Sequence, residues 1–234
     1  MRGGAVVENG FTCEEETHLT VLKTSLFFAG DGFTVYDSKG ELVFRVDSYG
    51  TDISDHGELV LMDASGHCLL TVRRKRPSLH QRWEGFLGER TEGQKPFFSV
   101  RRSSIIGRSG MTVEMYDTPG EEYQIEGSFG SRCCTIYNAA AAAAATATAA
   151  ATGKEAVAEI RRKVDASAHV VLGKDVFSLC VKPGFDAAFA MGLILVLDQI
   201  DGGYYDDGDG DGVGDGLPEA DPPNNIEEDS HLSS

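Results

Sequence analysis

One apolar segment near the C-terminal end restricts the fold of this chain more than any other feature. Residues 185–200 read FDAAFAMGLILVLDQI, and no polar residue occurs from Ala187 to Leu197. A membrane-spanning helix needs about 20 apolar residues, so this segment is too short to cross a bilayer. A helix that is apolar around its whole circumference must be buried around its whole circumference. The rest of the chain must therefore enclose it.

Repeated turn signatures indicate that β-strands provide the enclosure. The segments YDSKGELVF (36–44), MDASGHCLL (62–70) and YDTPGEEYQI (116–125) each place Gly three residues after Asp, between runs of strand-forming residues. Asp favours the start of a turn, and Gly takes the left-handed position that completes a type I turn with a bulge. Apolar residues alternate in the flanking runs. We expect about eight to twelve strands between residues 18 and 182, a meander long enough to close into a barrel.

Charge divides the chain into a body and a tail. The net charge is −16, and residues 201–234 hold eleven Asp and Glu with no Lys or Arg, so the body carries −16 + 11 = −5. The tail is rich in Gly, Asp and Pro and cannot bury enough apolar area to order itself. We therefore predict an N-terminal segment at 1–17, a barrel domain at 18–200 and a disordered acidic tail at 201–234.

An alanine-rich stretch interrupts the predicted barrel. Residues 139–151 contain eleven Ala, with no charge and no periodicity that would define a buried face. Short isolated helices are marginal in water even when they are rich in Ala. We interpret residues 138–153 as a low-complexity loop insertion.

The cysteines and the N-terminal residues bear on the cellular compartment. The five cysteines are odd in number and contain no Cys-x-x-Cys pair, which argues against a disulfide framework or a zinc site. The opening residues, MRGGAVVENGFTCEEE, lack the features of a secretion signal. We expect a cytoplasmic protein, with peripheral association at the plasma membrane or a nuclear location left open.

Several blocks of the chain resemble one family. The segments GFTVYDSKGELVFRVDSYG, LLTVRRKRPSLHQRWEGFLGE, KPFFSVRRSS and VFSLCVKPGFDAAFAMGLILVLDQI look like successive blocks of the plant LURP-one-related proteins. The resemblance implies a tubby-like fold, an all-β closed antiparallel barrel of about twelve strands around a central C-terminal apolar helix. It also implies kinship with phospholipid scramblases and tubby domains, for which membrane-tethered transcription regulation and phosphoinositide binding have been suggested, and a link to plant defence.

No catalytic constellation is evident. The six histidines are scattered, and neither a Gly-x-Ser-x-Gly elbow nor a phosphate-binding Gly-Lys-Ser/Thr loop occurs. In the tail, DGDGDGVGD from Asp207 matches the first half of a calcium-binding EF-hand loop, but Pro218 stands where the bidentate Glu is required. We predict a non-enzymatic protein without a cofactor or a resident metal site, and weak calcium capture by the tail remains an alternative.

Basic residues give the leading hypothesis about a binding site. Strand alternation in LLTVRRKR, FFSVRRSS and VAEIRRKV directs long cations away from the barrel interior. If these strands are neighbours, their cations could hold an anionic lipid headgroup, at about 1 kcal/mol for each Lys or Arg near the surface. The bland alternative is a solvated basic face. The candidate residues are Arg73, Lys75, Arg101, Arg102, Arg161 and Lys163.

The function that we expect is regulatory or binding, with anionic membrane lipid or regulatory proteins as partners. Nucleic acid is disfavoured because the body is net acidic and shows no reading helix. We expect a monomer. Two alternatives remain: a protein-interaction scaffold without a lipid ligand, and a scramblase-like lipid mover, which would need an exposed or mobile apolar helix.

Overall fold

Twelve antiparallel strands form a closed barrel, and one α-helix of the described residues lies in its interior. A computed structural model describes residues 7–25, 31–49, 58–75, 82–102, 110–118, 120–139, 154–165, 167 and 170–202. The elements are a 3-10 turn at Asn9–Phe11, β1 Thr17–Ser25, β2 Asp31–Tyr36, β3 Leu42–Tyr49, β4 Glu58–Asp63, β5 Cys68–Arg74, β6 Trp83–Leu87, β7 Phe98–Arg102, β8 Gly110–Met115, β9 Glu122–Ser128, β10 Cys133–Asn138, β11 Glu155–Arg162, β12 Val164–Asp165, β13 Val170–Val171, β14 Val176–Val181 and α1 Ala187–Gly202.

The barrel is an up-and-down meander closed by its first and last strands. Going round the wall, the order is β1, β14, β11, β10 and then each preceding strand down to β2, which pairs with β1. Val21 of β1 stands opposite Val35 of β2 on one side and Phe177 of β14 on the other. The short strands β12 and β13 form a separate hairpin, inserted between β11 and β14.

The helix fills the barrel, which confirms the predicted fold class. Every residue of α1 from Ala187 to Leu197 is buried, as the apolar sequence requires. The ring of Phe189 packs edge-on against Phe98 of β7, with 5.2 Å between the ring centroids, and against Tyr123 of β9 at 5.6 Å. At Gly192 a Cβ atom would lie 2.3 Å from the Leu70 side chain of β5, so the glycine allows the helix to approach the wall.

Two of the three predicted Asp-to-Gly turns lie wholly within the described residues, and both are present. Asp37 Oδ1 accepts hydrogen bonds from the backbone N–H of Lys39 and Glu41, both at 2.8 Å. Gly40 closes this turn with φ of 82°. The hydrogen bond from the Glu41 N–H is the largest of the effects that hold the pKa of Asp37 below its usual value. Gly66 has φ of 91° in the equivalent turn between β4 and β5.

The helix enters the barrel at one end, which we call the helix-entry end. There Asp186 Oδ1 accepts the N–H of Ala188 at 2.7 Å and of Phe189 at 3.0 Å, capping α1. Its Oδ2 accepts the N–H of Val7 at 2.7 Å and of Glu8 at 3.2 Å. One carboxylate thus joins the helix to the N-terminal segment, and its burial raises its pKa.

An ion pair holds the helix at the opposite end, which we call the helix-exit end. Lys23 Nζ of β1 lies 2.9 Å from the Asp198 carboxylate of α1. Arg132, in the turn between β9 and β10, stacks its guanidinium 4.1 Å from the Phe129 ring centroid and 4.6 Å from that of Phe177. Burial lowers the pKa of Arg132.

Two predicted segments fall largely outside the described residues. They are 140–153 of the alanine-rich insertion and 203–234 of the acidic tail. The assignments of insertion and disordered tail, and the half EF-hand from Asp207, stay predictions.

Candidate functional site

The six predicted basic residues do not form one patch. Arg73 lies in β5 with Lys75 just after it, and Arg101 and Arg102 lie in β7. The strand β6 separates β5 from β7. The strand β11, which carries or adjoins Arg161 and Lys163, lies beyond β8, β9 and β10. The strands that carry the predicted cations are therefore not neighbours, because a meander places its strands around the wall in chain order. The cations form two groups on different sides of the barrel.

Both groups nevertheless lie at the same end. Alternate strands of an antiparallel meander point the same way, so β1, β5, β7 and β11 all finish at one end. Lys23 near the end of β1 contacts Asp198 near the end of α1, which identifies this as the helix-exit end. The predicted cations thus share an end of the barrel and not a face.

The group on β5 surrounds a buried carboxylate. Glu84 of β6 stands directly opposite Arg73 in the strand register. Its side chain is 6% exposed, with Lys75 Nζ at 2.8 Å and Arg73 Nη2 at 3.5 Å from its two oxygens. The guanidinium of Arg73 also lies 5.2 Å from the Phe86 ring centroid. Arg73 and Lys75 are therefore already paired with side chains of neighbouring strands in the barrel.

A second carboxylate engages the group on β7. Arg101 Nη2 lies 2.9 Å from Glu114 Oε1 of β8. Arg82, just before β6, lies 3.3 Å from Glu114 Oε2. Arg102 is half-buried at the end of β7, and its position in the register faces Met111. Cations of this group therefore stabilise an outer-wall network, which makes them poor candidates for capturing a free headgroup.

The group at the end of β11 is more exposed. The Arg161 side chain is 69% exposed and contacts Glu159 on its own strand. Arg162, which the alternation argument left out, is exposed and donates from Nη2 to the Leu172 carbonyl at 3.2 Å. Lys163 Nζ donates to Thr20 Oγ1 at 2.6 Å.

An apolar hairpin stands beside these cations and was missed at the level of sequence. The strands β12 and β13 carry Val164, Val170 and Val171, which are 53%, 55% and 48% exposed. Large apolar side chains with this exposure are uncommon in the described part of the chain, where Tyr116 and Leu87 are the other two. The sequence offers no signal that separates this hairpin from a barrel strand, since the adjacent apolar residues Leu69 and Leu70 of β5 are both buried.

None of the helices within the described ranges has the length and apolar character needed to cross a membrane. Any membrane contact through α1 would also require it to leave the barrel.

Comparisons with known proteins identify close relatives. Residues 17–198 match the family model described as LURP-one-related. The chain is similar to the Arabidopsis thaliana proteins LURP-one-related 5 and LURP-one-related 12. It is 65% identical to the first over 209 residues, covering 88% of this chain and 92% of that protein. It is 62% identical to the second over 197 residues, covering 84% of each.

A solved structure supports the fold. An X-ray structure of an Arabidopsis thaliana protein matches with a TM-score of 0.58 and 22% sequence identity, covering 85% of this chain and 99% of that one. At this identity the likeness concerns the fold alone.

Proposed function

The chain belongs to the LURP-one-related family, and from that premise we propose that it is a non-enzymatic plant regulatory protein that binds anionic phospholipid surfaces at the helix-exit end of its barrel. A role in defence and a kinship with tubby and scramblase domains are part of this proposal. It rests on the earlier resemblance and on the surface at the end of β11.

The observation that carries the proposal is the pairing of exposed valines with exposed cations. Val164, Val170 and Val171 could enter the interfacial region of a bilayer, while Arg161 and Arg162 meet lipid phosphates. Each Lys or Arg near an anionic surface contributes about 1 kcal/mol, so cations alone give weak, salt-sensitive binding. Burial of valine side chains at about 25 cal/mol per Å² supplies an apolar contribution that salt does not screen.

The surface around Glu84 and Glu114 supports the proposal less well. A phosphate would have to compete with carboxylates for these cations, of which Lys75 is 44% and Arg101 36% exposed. Arg161 also contacts a carboxylate but is 69% exposed, so it is easier for a phosphate to reach. We therefore assign the headgroup contact to the end of β11 and treat Arg73, Lys75, Arg101 and Arg102 as secondary candidates.

Flotation of the full chain with vesicles tests the proposal. We expect flotation with phosphatidylcholine vesicles that contain phosphatidylserine or a phosphoinositide, and none with phosphatidylcholine alone. The test variant is Arg161→Ser with Arg162→Ser. The matched control is Lys39→Ser with Lys95→Ser, which removes the same charge from exposed positions at the helix-entry end. Loss of flotation only in the test variant supports the proposal.

Two outcomes contradict it. Equal flotation of both double variants would mean that charge at the end of β11 is irrelevant. No flotation of the wild-type chain on any anionic vesicle would favour the protein-interaction scaffold. A lipid mover is less favoured, because the apolar helix that it would need exposed is buried from Ala187 to Leu197.

A further inference from the structure

Closure of the barrel brings three metal-ligating side chains together on its outer wall. Glu16 immediately precedes β1, His18 is its second residue, and Cys180 lies near the end of β14. His18 and Cys180 are direct partners in the strand register. The candidate ligand atoms are a carboxylate oxygen, a ring nitrogen and Cys180 Sγ, and all lie within 4.8 Å of one another.

Strand alternation directs this cluster away from the core. Leu19 of β1 and Leu179 of β14 face the helix, so the neighbouring His18 and Cys180 face outward. Cys180 is nevertheless only 7% exposed. Its Sγ atom lies within 4.8 Å of the candidate ligand atoms of Glu16 and His18. Because His18 beside it is exposed, an ion from solvent can reach the buried thiol of Cys180.

We propose that Glu16, His18 and Cys180 bind a divalent transition-metal ion, with Zn²⁺ as the best match. Thiolate, imidazole and carboxylate are the ligands that zinc prefers, and three protein ligands with a water complete a tetrahedral site. Zinc bonds of about 2.0–2.3 Å place tetrahedral ligand atoms about 3.3–3.6 Å apart. His18 Nε2 and Glu16 Oε1 are already 3.1 Å apart, and small side-chain rotations would bring ligand atoms that are up to 4.8 Å apart to this separation.

Neighbouring charges suit a dication at this position. Lys182 Nζ lies 2.5 Å from Glu16 Oε2, so it holds one carboxylate oxygen and leaves Oε1 facing His18. Glu159 of β11 stands opposite Cys180 in the register and lies 3.9 Å from Lys182. With a thiolate at Cys180, the charges of Cys180, Glu16, Glu159 and Lys182 sum to −2. The exposed Arg161, which contacts Glu159, reduces this to −1, so a dication still meets net negative charge. Such outer contacts typically change metal affinity by about 10- to 100-fold.

Metal binding must displace the thiol proton. Burial, followed by the hydrogen bond to Glu16, raises the pKa of Cys180 to about 11. The hydrogen bond from Lys182 lowers the pKa of Glu16, so this carboxylate is ionised at neutral pH. Each bound ion therefore replaces the S–H bond of Cys180 with a metal–sulfur bond and releases one proton to solvent.

Titration of the full chain with Co²⁺ tests the site, because a cobalt–thiolate bond has a characteristic charge-transfer absorption. We expect this absorption to saturate at a single ion per chain and to disappear on addition of Zn²⁺. Cys180→Ser should abolish it, and His18→Ala, at an exposed position, should weaken binding at least about tenfold. Cys133→Ser, which removes an exposed thiol of β10, should leave it unchanged.

Thermal unfolding gives a second measurement. A ligand that binds the folded state raises the melting temperature, so Zn²⁺ should stabilise the wild type and the Cys133 variant, should stabilise the His18 variant less, and should not stabilise the Cys180 variant. Cobalt bound only through oxygens, as by the acidic tail, gives no thiolate absorption and overturns the proposal. So does thiolate absorption that persists in Cys180→Ser or is unaffected by His18→Ala.

Discussion

Leu193, near the middle of α1, provides the sharpest test of whether burial holds the helix inside the barrel. Its side chain is 0% exposed and belongs to the core cluster formed with the barrel wall. Truncating a buried leucine to alanine typically costs about 2.7–5.0 kcal/mol. A domain of this size loses about 2–4 °C of melting temperature per kcal/mol. Taking a cost near 3 kcal/mol, Leu193→Ala should melt roughly 6–12 °C below the wild type.

Leu193→Asp applies a larger perturbation at the same position. It removes the same packing and places a carboxylate in an apolar interior, which costs several further kcal/mol against a total stability of about 5–15 kcal/mol. We expect unfolded or insoluble protein. The control is Leu87→Ala at the end of β6, where 36% exposure predicts a change within about 0.5 kcal/mol.

Circular dichroism melting and vesicle flotation, measured on the same preparations, decide the outcome. If Leu193→Asp folds with an unchanged melting curve but no longer floats with anionic vesicles, the helix is a membrane device. That result would refute the inference that the helix is held in place by burial.

Three further predictions concern the remaining contacts. Lys75→Ala removes one of the cations that contact the buried Glu84 carboxylate. It should therefore lower the free energy of unfolding, measured by urea titration, by about 1–3 kcal/mol. Adding Glu84→Gln, which removes the buried charge, should recover most of this loss. Asp186→Asn keeps one oxygen acceptor for the helix cap but turns an NH₂ group toward the backbone N–H groups of residues 7 and 8. Hydrogen exchange should therefore accelerate at those two amides, while the amides of α1 stay protected. Deleting residues 203–234 removes ten carboxylates that compete with anionic lipid, so flotation should strengthen at low salt and the gain should shrink near physiological salt, where the screening length is about 8 Å.

The fold could be predicted because its signals are local. A turn with Asp and Gly specifies a hairpin wherever it occurs, as Asp37 and Gly40 show. A helix without a polar face must be enclosed whatever surrounds it. These two facts, with the family resemblance, were sufficient for a barrel with a central helix. They did not reveal the valine hairpin, because Val170 and Val171 look like part of one more barrel strand.

The surface could be predicted only in part, since it depends on which strands face each other. Arg73 and Arg161 each point outward, as alternation requires, but their distance around the wall depends on the full strand order. Glu84 lies between core residues in WEGFL, and nothing in that stretch shows that two cations will cover it. The contact between His18 and Cys180 could have been foreseen, because closure of a barrel makes its first and last strands neighbours.

The position of α1 in the chain also limits how the protein can be made. The helix follows β14, and β14 pairs with β1, so both the closing seam and the filling of the barrel come from the last described residues. During synthesis, the strands of the barrel wall leave the ribosome before α1 does. The apolar inner face of the wall therefore lacks the helix side chains that it packs against in the folded protein. Long-range closure of this kind folds slowly and exposes apolar surface meanwhile. We therefore expect a nascent chain that stops before α1 to depend on chaperones, and release of that dependence to coincide with the emergence of the helix.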